Sequence, residues 1–328
     1  MSKVIFIKNK VFSKVGSALK QFGIKDFAGK DVMIKMHMGE YGNRSFLKPE
    51  IVKVFADEFK KVGAKPFLFD TITRHSSRCT KEKYIDTAKR HGFRSVECPI
   101  VIGDEGRKVK VDGFEFEVAK EFAYTENIFV LSHAKGHVCA GFGGTIKNLG
   151  MGAASVKTKM EMHEWSKPVI DYSLCTKCKS CMNVCPFNLI KVDKKWEFDK
   201  NKCLGCGKCV LACPAGALRY KANLQESLAR MAKASTIGKK MIYVNMMIEI
   251  TKWCDCANNE IFPYEILCDD IGMVVSDDIV AIDAAAIDLI EKKMGRPYFD
   301  VWNVDARRQV KKAEQLGMGT MKYNLMIM

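Results

Sequence analysis

The sequence predicts an α/β fold, with a mostly parallel sheet flanked by helices and interrupted by a small cysteine-rich insert. Short strand-like runs alternate with helical stretches up to about residue 167, and the alternation resumes at about residue 222. Eight of the 14 cysteines lie between Cys175 and Cys213, in the interval where the alternation stops. The predicted parts are a first α/β part (residues 1–167), the insert (168–221) and a second α/β part (222–328).

The elements of the first part follow from their local residues. Pro49 opens the clearest helix, because the first helical turn needs no N–H donor, and Gly63 ends it. The predicted strands are Val4–Ile7, Val32–Met36, Lys65–Phe69, Val96–Ile102 and Ile128–Ser132. The predicted helices are Ser13–Phe22, Pro49–Val62 and residues 80–91.

The second part repeats this alternation. We predict helices Leu224–Ala234 and Ile279–Met294 and strands Met241–Ile250 and Met273–Ser276. Asp277 and Asp278 precede the last helix, where capping and the helix dipole favour acidic side chains. Asp283 lies within that helix and could face a cleft, although a structural role is favoured.

The cysteines of the insert form two matching runs. In each run, two residues separate the first cysteine from the second and the second from the third. Three residues separate the third cysteine from the fourth, and a proline follows the fourth. This spacing is typical of [4Fe–4S] clusters, in which the fourth cysteine of each run ligates the other cluster. One cluster is predicted on Cys175, Cys178, Cys181 and Cys213, and the other on Cys203, Cys206, Cys209 and Cys185. Zinc ribbons use two CxxC pairs per metal, so zinc does not fit.

Over about 50 residues the insert resembles the bacterial two-cluster ferredoxins. The resemblance implies a small α+β two-[4Fe–4S] ferredoxin-like domain within the α/β fold. It also implies a redox protein partner such as a ferredoxin, a flavodoxin or a reductase.

A second segment that could bind a ligand or carry catalytic residues runs from His137 to His163. It follows the strand Ile128–Ser132, and open α/β sheets bind ligands beyond their strand ends. The candidate cofactor-binding residues are Gly141, Gly143, Gly144 and Lys147, and the candidate catalytic residues are His137, Lys147 and His163. The glycines fit neither a P-loop nor a dinucleotide fingerprint. We expect a small anionic ligand or substrate at Lys147, although helix packing, a core histidine and a solvated lysine remain alternatives.

Three passages of the chain are GFGGTIKNLGMG, WCDC at residues 253–256, and SDDIVAIDAAAIDLI at residues 276–290. They resemble the family known as domain of unknown function 362. The resemblance covers nearly the whole chain and implies its architecture, with a two-cluster ferredoxin segment between the first two passages.

The spacing of His137, Lys147 and His163 also resembles the active-site segment of the nickel-pincer lactate racemases. That resemblance implies an acid/base role for His137, an anchoring role for Lys147 and a ligand role for His163. The racemases lack a ferredoxin insert. Their other catalytic histidine has no aligned counterpart here, and His75 is a loose candidate.

The other cysteines carry weaker signals. Cys254 and Cys256 are additional candidate metal ligands, and Cys268 or His163 would complete that metal site. A redox-active thiol site and buried small hydrophobic residues are the alternatives. Cys79, Cys98 and Cys139 have no ligand partners nearby in sequence and are predicted to be structural.

The net charge and the composition limit the kinds of partner that the protein can have. The net charge of +15 falls to about +11 if two thiolate-bound clusters each carry two negative charges. A basic surface suits acidic redox proteins and anionic substrates, and the absence of a basic–aromatic motif disfavours nucleic acid. The apolar runs are too short to span a membrane, and a cytoplasmic protein is expected.

Together these features predict an iron–sulfur oxidoreductase whose clusters exchange electrons with a site in the segment 137–163. A non-enzymatic electron-transfer partner is one alternative. An isomerase or cofactor-processing protein is the other.

Overall fold

The fold is built on one eight-stranded sheet in the computed structural model, which describes residues 1–9 and 11–328. In spatial order the strands are Tyr323–Ile327, Ser2–Lys8, Gly272–Ser276, Lys240–Met247, Asn127–His133, Asp31–Lys35, Lys65–Thr71 and Ile100–Gly103. Among the described strands of this sheet, Gly272–Ser276 alone is antiparallel to its neighbours. The predicted α/β class with a mostly parallel sheet is confirmed.

Helices cover both faces of the sheet, and alternate side chains of each buried strand point to opposite faces. Phe129 packs with Phe55 and Phe59 on one face. Ile128 and Val130 belong to the core on the other face. The helices are Val15–Lys20, Pro49–Lys61, Lys81–Arg90, Lys120–Tyr124, Thr145–Gly152, Val156–Trp165, Leu224–Thr236, Ile279–Met294, Phe299–Trp302 and Arg308–Gln315.

Short two-stranded ribbons of the α/β parts lie outside the main sheet. They pair Gly106–Val111 with Phe114–Ala119, Lys135–His137 with Gly141–Gly143, and Ile250–Thr251 with Ile266–Cys268. The second of these ribbons places the His137 segment directly after the strand Asn127–His133.

Three predicted boundaries were wrong. Val96 belongs to a 3-10 turn, and the strand begins at Ile100 because Glu97 has a positive φ of 57° that extended backbone does not allow. The strand from Lys240 ends at Met247, before Glu249 with φ of 45°. The first helix begins at Val15, after a 3-10 turn.

The insert has a small core of its own. Its strands Val169–Ile170 and Leu218–Arg219 pair antiparallel, so the chain enters and leaves the insert at adjacent points. Between them lie the hairpin Ile190–Val192 with Trp196–Phe198 and the short helices Ser180–Asn183 and Lys208–Leu211. The boundaries 1–167, 168–221 and 222–328 remain a proposal that this pairing supports.

Among residues 1–9 and 11–328, none of the helices combines the length and apolar character needed to cross a membrane.

The acidic residues near the helix Ile279–Met294 have different structural roles. Asp278 is the N-cap, and its Oδ1 accepts hydrogen bonds from the N–H groups of Val280 (2.8 Å) and Ala281 (2.9 Å). Asp283 is fully buried and accepts hydrogen bonds from the N–H groups of Thr145 (2.7 Å) and Ile146 (2.9 Å). It therefore holds the N-terminus of the neighbouring helix Thr145–Gly152.

We predict that Asp283→Asn destabilises the protein by about 1–3 kcal/mol, because the new amide group turns N–H donors toward buried donors. Thermal unfolding measures the change. Asp277→Asn is the control, since Asp277 is exposed and its substitution should leave the melting temperature nearly unchanged. Equal melting temperatures for the two variants would contradict the assigned role of Asp283.

Candidate functional site

The candidate site lies where the sheet reverses its direction of winding. From Asp31–Lys35 the chain continues to Lys65–Thr71 on one side, whereas from Asn127–His133 it continues to Lys240–Met247 on the other side. Ligands of open α/β sheets bind beyond the strand ends at such a point. A cavity of about 800 Å³ opens there, which is a size typical of small-molecule sites. We call it the strand-end cavity.

Most of the residues singled out in the segment 137–163 line this cavity. They are His137, Gly143, Gly144, Lys147 and His163, and His75, Cys254 and Cys256 line it too. Gly141 does not belong to the lining. It has φ of 70°, and a Cβ atom there would press on the backbone of Val304 and Ala306. Gly141 is therefore required by packing.

Several charged residues and histidines that also line the cavity were not predicted from the sequence. Among them are His37, Asp70, Arg78, His133, Lys159 and Asp255. Asp70 shows how the cavity wall is fixed. Its carboxylate lies 3.1 Å from the Lys35 ammonium and accepts a hydrogen bond from Tyr84. Burial opposes ionisation, but the Lys35 charge lowers the pKa of Asp70 to about 2.

Asp255 fixes another part of the cavity wall. Its carboxylate lies 2.9 Å from Nδ1 of His133 and 2.8 Å from Nζ of Lys135. Its backbone carbonyl accepts a hydrogen bond of 2.9 Å from the N–H of Glu40. Burial opposes ionisation, yet the two basic side chains hold the pKa of Asp255 well below its usual range.

Two lysines of the cavity have no carboxylate partner in the described part of the chain. Lys147 forms no ion pair there, and Lys159 donates a hydrogen bond of 2.6 Å to Oγ1 of Thr71. Burial lowers the pKa of Lys147 to about 8 and that of Lys159 to about 7. The cations Lys35, Lys135 and Arg78, by contrast, lie 2.8–3.1 Å from the carboxylates of Asp70, Asp255 and Glu40, respectively. The unpaired positive charge of the cavity suits an anion.

The histidines of the cavity present different hydrogen-bonding groups. Nδ1 of His137 accepts from the N–H groups of Cys139 (3.2 Å) and Ala140 (3.1 Å), so the neutral ring carries its proton on Nε2. Nδ1 of His163 faces the Leu204 carbonyl at 2.8 Å and must donate, so its Nε2 has a free lone pair. Burial lowers the pKa of both rings. One neutral histidine is therefore a donor and the other an acceptor.

His37 repeats the first arrangement. Its Nδ1 accepts a hydrogen bond of 3.0 Å from the N–H of Gly39, and burial lowers its pKa to about 3. Its Nε2 is buried without a partner among the described residues. This ring adds another donor to the cavity.

The insert brings its eight cysteines together in two groups. Cys175, Cys178, Cys181 and Cys213 surround one small pocket, which we call the first cysteine pocket. Cys185, Cys203, Cys206 and Cys209 surround the other, the second cysteine pocket. These are the two sets predicted from the spacing, with the fourth cysteines exchanged. Four thiols per pocket are a donor set that fits a [4Fe–4S] cluster.

The second cysteine pocket shares a wall with the strand-end cavity. Cys203 and Leu204 border both spaces, and the Leu204 carbonyl contacts His163. A Cβ atom at Gly205 would collide with Ser166 and with the carbonyl oxygen of His163, so glycine permits this close approach. Within the described residues the first cysteine pocket shares no lining residue with the cavity, and its Cys178 is exposed.

Lys208 is a buried cation in the wall of the second cysteine pocket. It is only 6% exposed, and its Nζ lies 5.4 Å from the centre of the Trp302 ring. No carboxylate pairs with it in the described residues. The corresponding position of the first run is Ser180, whose hydroxyl lies 3.4 Å from Sγ of Cys178.

Cys254 and Cys256 form a disulfide at the cavity wall. Cys254 is buried and Cys256 is exposed. The two sulfurs and a ring nitrogen of His137 all lie within 4.8 Å of one another. The structure thus places His137 beside the pair, and not Cys268 or His163 as predicted.

Comparison with known proteins identifies the family. Residues 32–288 match the model described as domain of unknown function (DUF362). The chain belongs to the DUF362 family. This confirms the resemblance seen in the sequence, and it covers both α/β parts together with the insert.

Curated relatives match shorter stretches of this DUF362 protein. Pyruvate synthase subunit PorD of Methanothermobacter marburgensis is 35% identical over 79 residues, which are 24% of this chain and 91% of PorD. The polyferredoxin-like subunit of the aliphatic sulfonate oxidoreductase of Pyrococcus furiosus is 42% identical over 54 residues, or 15% of this chain and 31% of the relative. The electron transport protein HydN of Escherichia coli K12 is 41% identical over 49 residues, or 14% and 28%. These matches confirm an iron–sulfur ferredoxin-like region.

Two solved structures are also similar. A Thermotoga maritima protein aligns with a TM-score of 0.42 and 10% identity, covering 88% of this chain and 60% of that one. The lactate racemase apoprotein of Thermoanaerobacterium thermosaccharolyticum aligns with a TM-score of 0.40 and 15% identity, covering 76% and 51%. The DUF362 chain thus spans little more than half the length of either protein.

We predict that Asp255→Asn lowers the free energy of unfolding by about 3–5 kcal/mol, because it leaves the buried Lys135 ammonium without its countercharge. Chemical denaturation followed by circular dichroism measures the change. Asp269→Asn is the matched control, since Asp269 pairs with Lys293 while its side chain is 87% exposed. An exposed pair contributes little, so this control should unfold like the wild type. A wild-type midpoint for Asp255→Asn would refute the structural role of the buried ion pair.

Proposed function

We propose that this DUF362 protein transfers electrons through two [4Fe–4S] clusters in the insert to a small anionic ligand in the strand-end cavity. One observation carries the proposal: Cys203 and Leu204 form a wall common to the second cysteine pocket and the cavity. Clusters bound in the two pockets would supply electrons one at a time. The chain's own residues position the ligand and handle its protons.

The cavity residues support an anionic ligand of small size. Lys147 and Lys159 supply positive charge that no carboxylate of the described chain neutralises, and His137 offers an N–H donor. The free Nε2 of His163 can accept a proton or a hydrogen bond. A ligand carrying a carboxylate or phosphate group matches these partners.

The exposed side of the insert supports an external redox partner. Cys178 of the first cysteine pocket is exposed, and Lys177 and Lys179 beside it are exposed cations. A small acidic carrier, such as a ferredoxin or a flavodoxin, or a reductase with an acidic face, complements this surface. Electrons would then enter at the first cysteine pocket and leave at the second.

We predict about eight irons per chain after anaerobic purification. We also predict that Cys213→Ser and Cys178→Ser alter one and the same cluster, while Cys185→Ser and Cys206→Ser alter the other. The reason is that each fourth cysteine lies in the pocket of the other run. Electron paramagnetic resonance of the reduced variants distinguishes the two signals, and Cys98→Ser is the control. If Cys213→Ser produced the spectrum of Cys206→Ser, the exchanged ligand sets would be wrong.

We predict that Lys147→Met weakens binding of oxalate or inorganic phosphate about tenfold or more, because a charge-assisted contact is lost. For the wild type, affinity should fall as the pH rises through 7 and 8, where Lys159 and Lys147 lose their protons. A bound anion raises both pKa values, so the loss extends above pH 8. Isothermal titration calorimetry measures the affinities.

Lys157→Met is the matched control for this experiment, since Lys157 is an exposed lysine on the same helix as Lys159. Unchanged affinity in Lys147→Met, or equal losses in the two variants, would count against an anion site at Lys147. Reducible clusters without binding of either anion would favour the non-enzymatic electron-transfer partner.

The second candidate is an isomerase or a cofactor-processing protein. It is favoured by the neutral donor His137 and the neutral acceptor His163, which line one cavity together with Lys147. Deuterium exchange at the carbon beside the carboxylate of a 2-hydroxy acid, without any reductant, would distinguish it from electron transfer.

A further inference from the structure

We propose that Cys254 and Cys256 are a redox-active dithiol/disulfide couple that stores two electrons at the wall of the strand-end cavity. This deepens the proposed function, on which it rests, because it names the first acceptor of electrons that leave the second cysteine pocket. The disulfide and Cys203 line the same cavity.

The position of this disulfide in the chain argues against a structural role. A disulfide stabilises a protein mainly by closing a long loop in the unfolded chain, and the gain shrinks as the loop becomes shorter. Cys254 and Cys256 are separated by two positions, which is close to the minimum. The bond therefore adds little to stability and can open and close without unfolding the fold.

The residue between the two cysteines keeps the sulfurs together in both states. Asp255 is held by its ion pairs with His133 and Lys135. The segment is also held on its far side, where Asn43 donates a hydrogen bond of 2.7 Å to the Ala257 carbonyl. Reduction can thus break the sulfur–sulfur bond while the backbone on both sides keeps its place, and the two thiols stay ready to re-form it.

His137 distinguishes this couple from a metal site. Two thiolates and a histidine within 4.8 Å could hold a borderline metal ion. However, Nδ1 of His137 accepts two backbone N–H bonds, so Nε2 carries the ring proton and has no free lone pair. A metal-bound histidine instead donates its second N–H to an acceptor. His137 is therefore an N–H donor in the cavity that the disulfide also lines.

Reduction of the disulfide consumes two electrons and two protons. The sulfur–sulfur bond of Cys254 and Cys256 breaks, two electrons enter, and two protons from water in the open cavity yield two thiols. The electrons come one at a time from a low-potential one-electron carrier by way of the insert. Re-formation of the disulfide returns two electrons and two protons, which would serve the reduction of a cavity ligand.

The test is an anaerobic titration of the reconstituted full-length protein with dithionite. We expect the wild type to take up two more electrons than Cys256→Ser, which removes the couple at an exposed position. Alkylation followed by mass spectrometry should label both cysteines of the wild type only after reduction. Cys79→Ser is the control, since Cys79 lies outside the cavity lining, and its uptake should equal that of the wild type.

Equal uptake by the wild type and Cys256→Ser, with both clusters reduced normally, would overturn this inference and leave the proposed function intact. A metal in excess of eight irons per chain that Cys256→Ser loses would also overturn it, in favour of a metal site. If dithionite reduced no cluster, the inference and the proposed function would fail together. A second variant, Cys254→Ala with Cys256→Ala, must give the uptake of Cys256→Ser.

Discussion

The buried carboxylate of Asp255 connects parts of the chain that are more than 100 residues apart in sequence. It pairs with His133 at the end of a central strand and with Lys135 in the ribbon that leads to His137. Its carbonyl holds the loop that contains Glu40. A buried charge is costly unless its partners compensate it, so these segments can pack only together. The walls of the strand-end cavity depend on this one group.

Features that depend on local spacing could be predicted from the sequence. The grouping of the cysteines belongs to this class, because three of the four cysteines around each pocket come from one short run. The placement of His137, Lys147 and His163 at a strand end also followed from local order, since their segment begins directly after a buried strand.

The residues that were missed depend on strand order. His37 and Asp70 line one cavity because the strands Asp31–Lys35 and Lys65–Thr71 are neighbours. Asp255 joins them through its ion pair with His133 at the end of the next strand, and no local pattern specifies that arrangement. A weaker signal was present. Asp70 closes the apolar run Phe67–Phe69, and His37 follows another such run, as polar residues do where a parallel strand ends at a site. Glu97 delays the start of one strand and Glu249 follows the end of another, both through positive φ angles that a glutamate in the sequence does not indicate.

The two halves of the cysteine repeat share a backbone and differ in their surroundings. Lys177 and Lys179 have φ of 55° and 64°, and Gly205 and Gly207 have φ of 65° and 73° at the corresponding positions. In the same repeat, Ser180 stands where the second half has the buried Lys208. If clusters occupy the two cysteine pockets as proposed, a fixed positive charge makes the cluster beside it easier to reduce. Lys208 would then raise the reduction potential of the inner cluster above that of the outer one, so that an electron arriving at the exposed end is favoured to move inward.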